Sequence, residues 1–140
     1  MSNLFSIHKG TNEEANYVRN QLIEYNALYA PNGIYEEVNL CLKSDNRDII
    51  AGLNSAVCWN WMEIDILWVE EKHRKQGLGK RLLNEAEKIA RSKECTFIKL
   101  NTFSFQAPEF YKKYGYKEIA MIENAPLGSN HYYFKKDLVV

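Results

Sequence analysis

The stretch RKQGLGK, residues 74–80, combines glycines with basic side chains where the pattern predicts the start of a helix. A glycine in a helix loses about 1 kcal/mol of helix propensity relative to alanine, and a helix N-terminus repels cations. Glycine also lets another molecule approach the backbone closely, and the first four N–H groups of a helix have no internal partner. These features become favourable when an anion binds, so the stretch predicts a phosphate site, most simply for a pyrophosphate.

Two common nucleotide-binding loops do not fit this spacing. The P-loop pattern is G-x-x-x-x-G-K-[ST], whereas Lys80 is followed by Arg81. The dinucleotide-binding pattern is G-x-G-x-x-G, whereas Leu82 stands at the position of the last glycine. Both nucleotide interpretations are therefore disfavoured.

The pattern along the chain predicts the elements that must position this loop. Apolar and polar residues alternate over residues 4–9, which predicts a first strand. Thr11 and Glu14 then predict a capping box at the start of a helix that ends near Tyr29. Three strands with short links, at residues 34–44, 48–59 and 62–70, predict an antiparallel meander. The remaining predictions are a helix at 77–93, a strand at 95–103, a short helix at 107–114, and strands at 116–123 and 131–138. The strand–helix–strand unit at 62–103 requires one parallel crossover, so the fold class is α+β with a mixed sheet.

Composition excludes several classes of function. A length of 140 residues with 46% hydrophobic content suits a single domain over residues 1–140 with one core. A net charge of zero argues against a general nucleic-acid binder. No apolar run approaches the roughly 20 residues needed to cross a bilayer, and the start lacks a signal-peptide core, so we expect a cytoplasmic protein without a membrane partner. The cysteines and histidines lack metal-ligand spacing, so no metal is expected.

Two motifs in the chain resemble those of a known superfamily. Arg74, Gly77 and Gly79 after an apolar strand form R-x-x-G-x-G, which resembles motif A of the GNAT superfamily of acyl-CoA-dependent N-acyltransferases. Further along, QAPEFYKKYGY resembles motif B, with matches at Ala107, Phe110, Tyr111, Gly115 and Tyr116. The predicted element order is similar to the GNAT fold over nearly the whole chain, and the motif B region looks closest to small bacterial members. The resemblance implies an α+β fold with a central, mostly antiparallel sheet flanked by helices, in which two parallel strands splay apart to form a CoA cleft.

The resemblance also implies acetyl-CoA as co-substrate and a set of residues that bind it. The pyrophosphate would be held by backbone N–H groups of Gln76, Gly77, Leu78, Gly79 and Lys80, in the positive field of Arg74 and Lys75. The pantetheine would pair like an added strand with Leu67, Trp68 and Val69, and a backbone N–H near Leu67 would stabilise the oxyanion. Ala107 and Tyr111 would complete the cofactor side. Ser104 stands where the family often has an asparagine that holds the pantetheine, and its role is left open. The alternative is a plain helix start with a flexible entry.

The expected reaction needs groups for two proton transfers. An ammonium must lose a proton before it can attack, and Glu63 and Asp65 share one face of a predicted strand. Glu63 aligns with a catalytic glutamate of many family members; whether Glu63, Asp65 or a water is the base stays open, as does simple attraction of a cation. Tyr111 matches the motif B tyrosine, which often protonates the departing thiolate, and the alternative is core packing. For His131 a structural or rim role is favoured over a catalytic one.

The function implied is transfer of an acetyl group from acetyl-CoA to a primary amine of a small molecule or peptide, by direct attack in a ternary complex. The alternative is a non-catalytic acyl-CoA-binding sensor or interaction module with the same fold. The sequence does not identify the amine. Exposed strand edges also allow such a fold to pair into a homodimer.

Overall fold

The computed structural model describes residues 4–138. The chain divides into two compact units, one up to Gly33 and one from Ile34 onward. None of the helices in the described range is long and apolar enough to span a membrane. The prediction of a single domain over residues 1–140 stays a prediction.

The first unit contains one helix, α1, from Asn12 to Tyr29. The predicted capping box is confirmed, because the Thr11 amide donates to Glu14 Oε1 at 2.8 Å and the Glu14 amide donates to Thr11 Oγ1 at 3.2 Å. The predicted strand at residues 4–9 is wrong, since no strand is assigned there. A segment with alternating apolar and polar residues forms a strand only when its backbone groups hydrogen-bond to a neighbouring strand. No described strand pairs with this segment.

The second unit contains a six-stranded sheet in the order β1-β2-β3-β4-β6-β5. Every pair of neighbouring strands is antiparallel except β3 and β4, which are parallel, so the predicted mixed α+β class is confirmed. The strands are β1 Tyr35–Lys43, β2 Ile49–Cys58, β3 Trp61–Val69, β4 Phe97–Phe103, β5 Lys117–Glu123 and β6 Asn130–Asp137. The helices are α2 Leu78–Ser92 and α3 Pro108–Lys113, with a short 3-10 helix, Glu71–His73, before α2.

The parallel strands β3 and β4 pair over only part of their length. Their ladder ends at Ile64 and Leu100, although β3 continues to Val69 and β4 to Phe103. The ladder between β2 and β3 shifts register at the same level, which leaves Asp65 as a bulged residue. A bulge bends its strand, so β3 turns away from β4 directly after Ile64. The predicted splay of the parallel strands is confirmed.

The core lies between one face of the sheet and helices α2 and α3. That face contributes Leu53, Met62, Ile64, Ile98 and Phe134, and α2 contributes Leu82, Leu83, Ala86 and Ala90, all of them buried. The period of apolar residues in α2 therefore matches a helix lying on a sheet.

One buried carboxylate ties the helical layer to the sheet. Glu87 of α2 is only 5% exposed, and it accepts hydrogen bonds from Tyr116 Oη at 3.0 Å and from Lys136 Nζ at 2.9 Å. Burial and the adjacent Glu87 charge raise the pKa of Tyr116, which keeps its phenol protonated as a donor. The network ties the second half of α2 to β6 and to Tyr116, the residue before β5.

Candidate active site

The start of α2 presents a row of unused hydrogen-bond donors. Gly77 caps the helix with φ 78°, a left-handed conformation that glycine adopts without steric cost. The backbone N–H groups of residues 75–80 donate no hydrogen bond within the described range. They stand at the positive end of the helix dipole, where an anion is stabilised.

Gly79 lies in this turn but also has a packing role. A Cβ atom placed on it would be 3.3 Å from Phe110 Cζ and 3.8 Å from Val69 Cγ2. The first turn of α2 therefore packs closely on α3 and on the end of β3. Sequence reasoning assigned Gly79 only to the approach of a ligand, because a contact between residues so far apart in the chain leaves no local signal.

The basic residues around the turn differ in what they contact. Arg74 donates from Nε to the Val69 carbonyl oxygen at 3.0 Å, which fixes the chain leaving β3. Lys80 Nζ lies 5.5 Å from the ring centroid of Tyr114 on α3. None of Arg74, Lys75 and Lys80 forms an ion pair with a carboxylate among residues 4–138, so their charge is available to an anion.

The predicted pantetheine-binding residues line the open part of the gap. Leu67, Trp68 and Val69 pair with β2 on one side and lie beyond the end of the β3–β4 ladder on the other. The edge of β3 that faces the gap therefore has no strand partner there.

The loop after β4 is held by side-chain hydrogen bonds. Ser104 and Asn130 form two hydrogen bonds. Ser104 N donates to Asn130 O at 2.9 Å, and Asn130 N donates to Ser104 Oγ at 3.0 Å. Gln106 Oε1 accepts from Phe103 N at 2.9 Å and from Thr102 Oγ1 at 3.2 Å. Ala107, whose amide donates to Thr102 Oγ1 at 3.5 Å, then leads into α3. Sequence reasoning missed Gln106, because the motif does not specify its side chain.

Tyr111 lies on α3 with its ring in the core and its hydroxyl unpaired. The residue is 7% exposed, and its ring contacts Phe110, Tyr116 and Phe134. Its hydroxyl forms no hydrogen bond with another described residue. Within residues 4–138 the only completely buried side-chain nitrogen or oxygen without a partner is Trp61 Nε1, so the Tyr111 hydroxyl keeps contact with solvent. Burial raises the pKa of Tyr111 to about 12, which keeps the phenol protonated.

The two candidate carboxylates have different surroundings. Glu63 Oε1 forms an ion pair with Lys99 Nζ at 3.0 Å. Asp65, the bulged residue, forms no ion pair within the described range and stands where β3 leaves β4. Burial raises the pKa of Asp65, and the charges of Glu63 and Glu37 raise it further. Asp65 therefore holds a proton more readily than an ordinary aspartate, as a base near neutral pH must.

A groove elsewhere on the second unit contains none of the predicted site residues. It measures about 420 Å³ and lies between β1 and α2, where Leu40, Leu42, Arg81 and Lys88 line it. We place the candidate site at the β3–β4 gap instead, because the unpaired amides follow the end of β3 and Asp65 lies where β3 leaves β4.

Comparisons with known proteins agree on one family. The family model described as Acetyltransferase (GNAT) family matches residues 4–116. A blasticidin-S acetyltransferase of Streptomyces morookaense is 38% identical over 95 residues, which make up 67% of this chain and 70% of that protein. A crystal structure of an acetyltransferase from Bacillus cereus is 40% identical with a TM-score of 0.92, covering 96% of this chain and 99% of that one.

A more distant structure shares the fold. It is a streptothricin acetyltransferase homologue of Bacillus anthracis, solved in complex with acetyl coenzyme A. It is 21% identical with a TM-score of 0.67, covering 80% of this chain and 68% of that one.

Proposed function

The chain belongs to the acetyltransferase (GNAT) family, and from this premise we propose that it acetylates a primary amine of a small molecule or peptide by direct attack within a ternary complex. Membership carries the general activity, that of an acetyl-CoA-dependent N-acetyltransferase. The acceptor class, the order of events and the roles of individual residues are what the proposal adds.

The observation that carries the proposal is the row of free amides at residues 75–80 beside the gap between β3 and β4. Donors at a helix N-terminus fit a pyrophosphate, and Arg74, Lys75 and Lys80 add positive charge. The gap leaves one edge of β3 open at Leu67, Trp68 and Val69, where an extended pantetheine can pair with the backbone. Acetyl-CoA supplies the activated acetyl group when it is bound in this way.

The remaining groups fit the proton transfers of the reaction. A base must first take a proton from the ammonium to give a neutral amine. Asp65 is the better candidate for this base, because Glu63 forms an ion pair with Lys99 and the pKa of Asp65 is raised. A backbone N–H near Leu67 stabilises the oxyanion. Tyr111 gives its proton to the departing sulfur, a role that its raised pKa supports. Ser104 and Ala107 border the same loop and shape the mouth of the gap.

The competing function is an acyl-CoA sensor that binds without catalysis. A thiol-release assay with acetyl-CoA and a panel of amines separates the two. The panel contains polyamines, amino acids, peptides and blasticidin S. Blasticidin S is included because a 38% identical relative is named a blasticidin-S acetyltransferase. An acetyltransferase releases CoA with at least one amine, and its double-reciprocal plots intersect because both substrates are bound before product leaves. Acetyl-CoA binding without CoA release from any amine would support the sensor, and parallel plots would contradict direct attack.

Homodimer formation is a further part of the proposal. Strands β1 and β5 are the edges of the sheet, and every residue of β5 is exposed. Its apolar side chains, Ile119 and Met121 among them, lie between Lys117 and Glu123, a pattern of opposite charges that is self-complementary in an antiparallel two-fold contact. A cytoplasmic location and a single domain remain predictions from the sequence.

A further inference from the structure

His131 lies on β6, across β4 from the gap, on the face of the sheet opposite Tyr111. It is a residue of β6 and pairs with Phe103, the last residue of β4. Phe134 of the same strand is fully buried and contacts the Tyr111 ring, with centroids 6.2 Å apart. Because successive residues of a strand project to opposite faces, His131 and Tyr133 point away from the Tyr111 side.

A single hydrogen bond defines the tautomer of His131. Its Nε2 lies 3.0 Å from Asn101 Oδ1. An amide oxygen can only accept, so Nε2 carries a proton, and in the neutral imidazole Nδ1 is then the nitrogen with the lone pair. Nδ1 has no hydrogen-bond partner among residues 4–138. The ring is held in place by Phe103 and Tyr133, whose centroids lie 4.4 and 4.5 Å away.

The same face of the sheet carries the two carboxylates. Glu63 pairs in register with Lys99 of β4. Every second residue of a strand lies on the same face, so Lys99, Asn101 and Phe103 share one face of β4. Asp65 and Asn101 each lie two residues beyond the Glu63–Lys99 pair, on opposite sides of the opening. An acceptor that enters from this face meets carboxylates on the β3 side and His131 on the β4 and β6 side.

We propose that His131 is a catalytic base, and that Asn101 is the positioning residue which sets its tautomer. This inference rests on the proposed acetyl transfer. An ammonium has two protons to lose when it becomes an amide: one leaves before attack, to Asp65, and one leaves as the bond to carbon forms. His131 Nδ1 takes the second proton.

The step is balanced as follows. The amine nitrogen forms a bond to the acetyl carbon, the carbon–sulfur bond breaks, and its electron pair goes to sulfur. Nδ1 of His131 receives the proton from nitrogen while Tyr111 gives its proton to sulfur from the opposite face. Solvent then takes the protons from Asp65 and His131 and returns a proton to Tyr111.

Replacement of His131 by alanine tests the proposal. In His131→Ala we expect kcat to fall about 100-fold, with the affinity for acetyl-CoA unchanged, because only proton transfer is lost. Added imidazole fits the space between Phe103 and Tyr133, and it should restore part of the lost kcat. The matched control is His8→Ala, which removes an imidazole outside the sheet and should leave kcat unchanged.

The specificity of imidazole rescue provides the second control. Imidazole should not rescue Tyr111→Phe, which lacks the acid rather than the base. His131→Gln, which keeps a similar volume and an amide donor for Asn101, should fold as the wild type and lose kcat to the same extent as His131→Ala. If His131→Ala fails to fold, His131→Gln alone decides the question.

Asn101 is tested by a conservative pair of variants. Asn101→Leu removes the acceptor for Nε2 and should lower kcat with little effect on the acetyl-CoA KM, whereas Asn101→Asp keeps an acceptor oxygen and should retain activity. Equal losses in both variants would contradict the positioning role.

The outcome separates this proposal from the one on which it depends. If the wild type acetylates an amine and His131→Gln keeps its kcat, only the role of His131 is overturned. If the wild type releases no CoA with any amine, the proposed function itself fails.

Discussion

At the scale of single residues, the surroundings of a side chain decide its chemistry as much as its type does. Glu63 and Asp65 are both carboxylates on β3, yet one is paired with Lys99 and the other stands unpaired at a bulge with a raised pKa. Tyr111 and Tyr116 are both largely buried phenols, yet only Tyr116 has a hydrogen-bond partner for its hydroxyl. The unpaired hydroxyl and the unpaired carboxylate are the groups to which we assign the proposed proton transfers.

Tyr111→Phe should lower kcat by about 100-fold or more and leave the acetyl-CoA KM nearly unchanged, because it removes only the proton donor. Tyr114→Phe, which removes a hydroxyl just after the same helix, is the control and should keep its activity. Since the pKa of Tyr111 is about 12, the ratio of wild-type to Tyr111→Phe kcat should stay constant from pH 7 to pH 10. Steady-state kinetics across that range would show a falling ratio if Tyr111 ionised near its ordinary value.

Asp65→Asn should lower kcat and at the same time raise the melting temperature at pH 7. The folded-state pKa of Asp65 is raised, so the folded protein binds a proton more tightly than the unfolded chain does. Stability therefore falls as pH rises from the ordinary aspartate value through the folded value, and the ionised carboxylate destabilises the fold at neutral pH. The gain in melting temperature should shrink as pH falls below about 4, where Asp65 becomes protonated in the unfolded chain as well. A lower melting temperature for Asp65→Asn at pH 7 would show that the pKa is not raised.

At the scale of elements, the start of α2 combines a packing contact with the proposed binding of the cofactor. Its first turn packs on α3 through Gly79 and Phe110, and the same turn leaves the amides of residues 75–80 free. The glycine costs helix propensity, but the close contact and the open backbone both require it. The two motifs are therefore joined physically, since motif B supplies the surface on which motif A is held.

Gly79→Glu should abolish acetyl-CoA binding, because bulk and negative charge both oppose the pyrophosphate. CoA at about 100 times its Kd stabilises a binding protein by roughly 2.7 kcal/mol, and this thermal stabilisation should be absent from the variant. Asn84→Glu adds the same charge on the same helix, away from its N-terminus, and should keep the wild-type shift.

Crowding against Phe110 must be separated from this effect. The double variant Gly79→Glu with Phe110→Leu removes the ring that the new side chain meets, and it should still fail to bind CoA. Recovery of the thermal shift in the double variant would mean that packing, and not contact with the cofactor, explained the loss.

At the scale of the whole molecule, the proposed homodimer depends on which edge of the sheet forms the contact. Ile119 on β5 is 59% exposed, and a lysine there places like charges at the centre of the proposed two-fold contact. Ile119→Lys should therefore convert a dimer to a monomer in sedimentation velocity, whereas Tyr35→Lys on β1, at the other edge, should not. A dimer that is broken only by Tyr35→Lys would assign the contact to β1.

Much of the architecture follows from local pattern in the sequence. The predicted strand at 48–59 agrees with Ile49–Cys58 and the predicted helix at 77–93 agrees with Leu78–Ser92, because periodicity and turn residues act within a few residues of each other. The segment at 4–9 was the exception, because alternation alone does not supply a pairing partner. The family motifs likewise lie within short stretches, so the sequence alone led to the family that the comparisons then identified.

Only the tertiary structure decided what happens between residues that are distant in the chain. The ion pair of Glu63 with Lys99, the contact of Gly79 with Phe110 and the hydrogen bond of His131 with Asn101 each join different elements. Such pairings depend on strand register, and a shift of one residue would turn every side chain to the opposite face. The sequence by itself determined which groups are available for chemistry, and the register of the sheet decided which of them are free and which face of the gap they share.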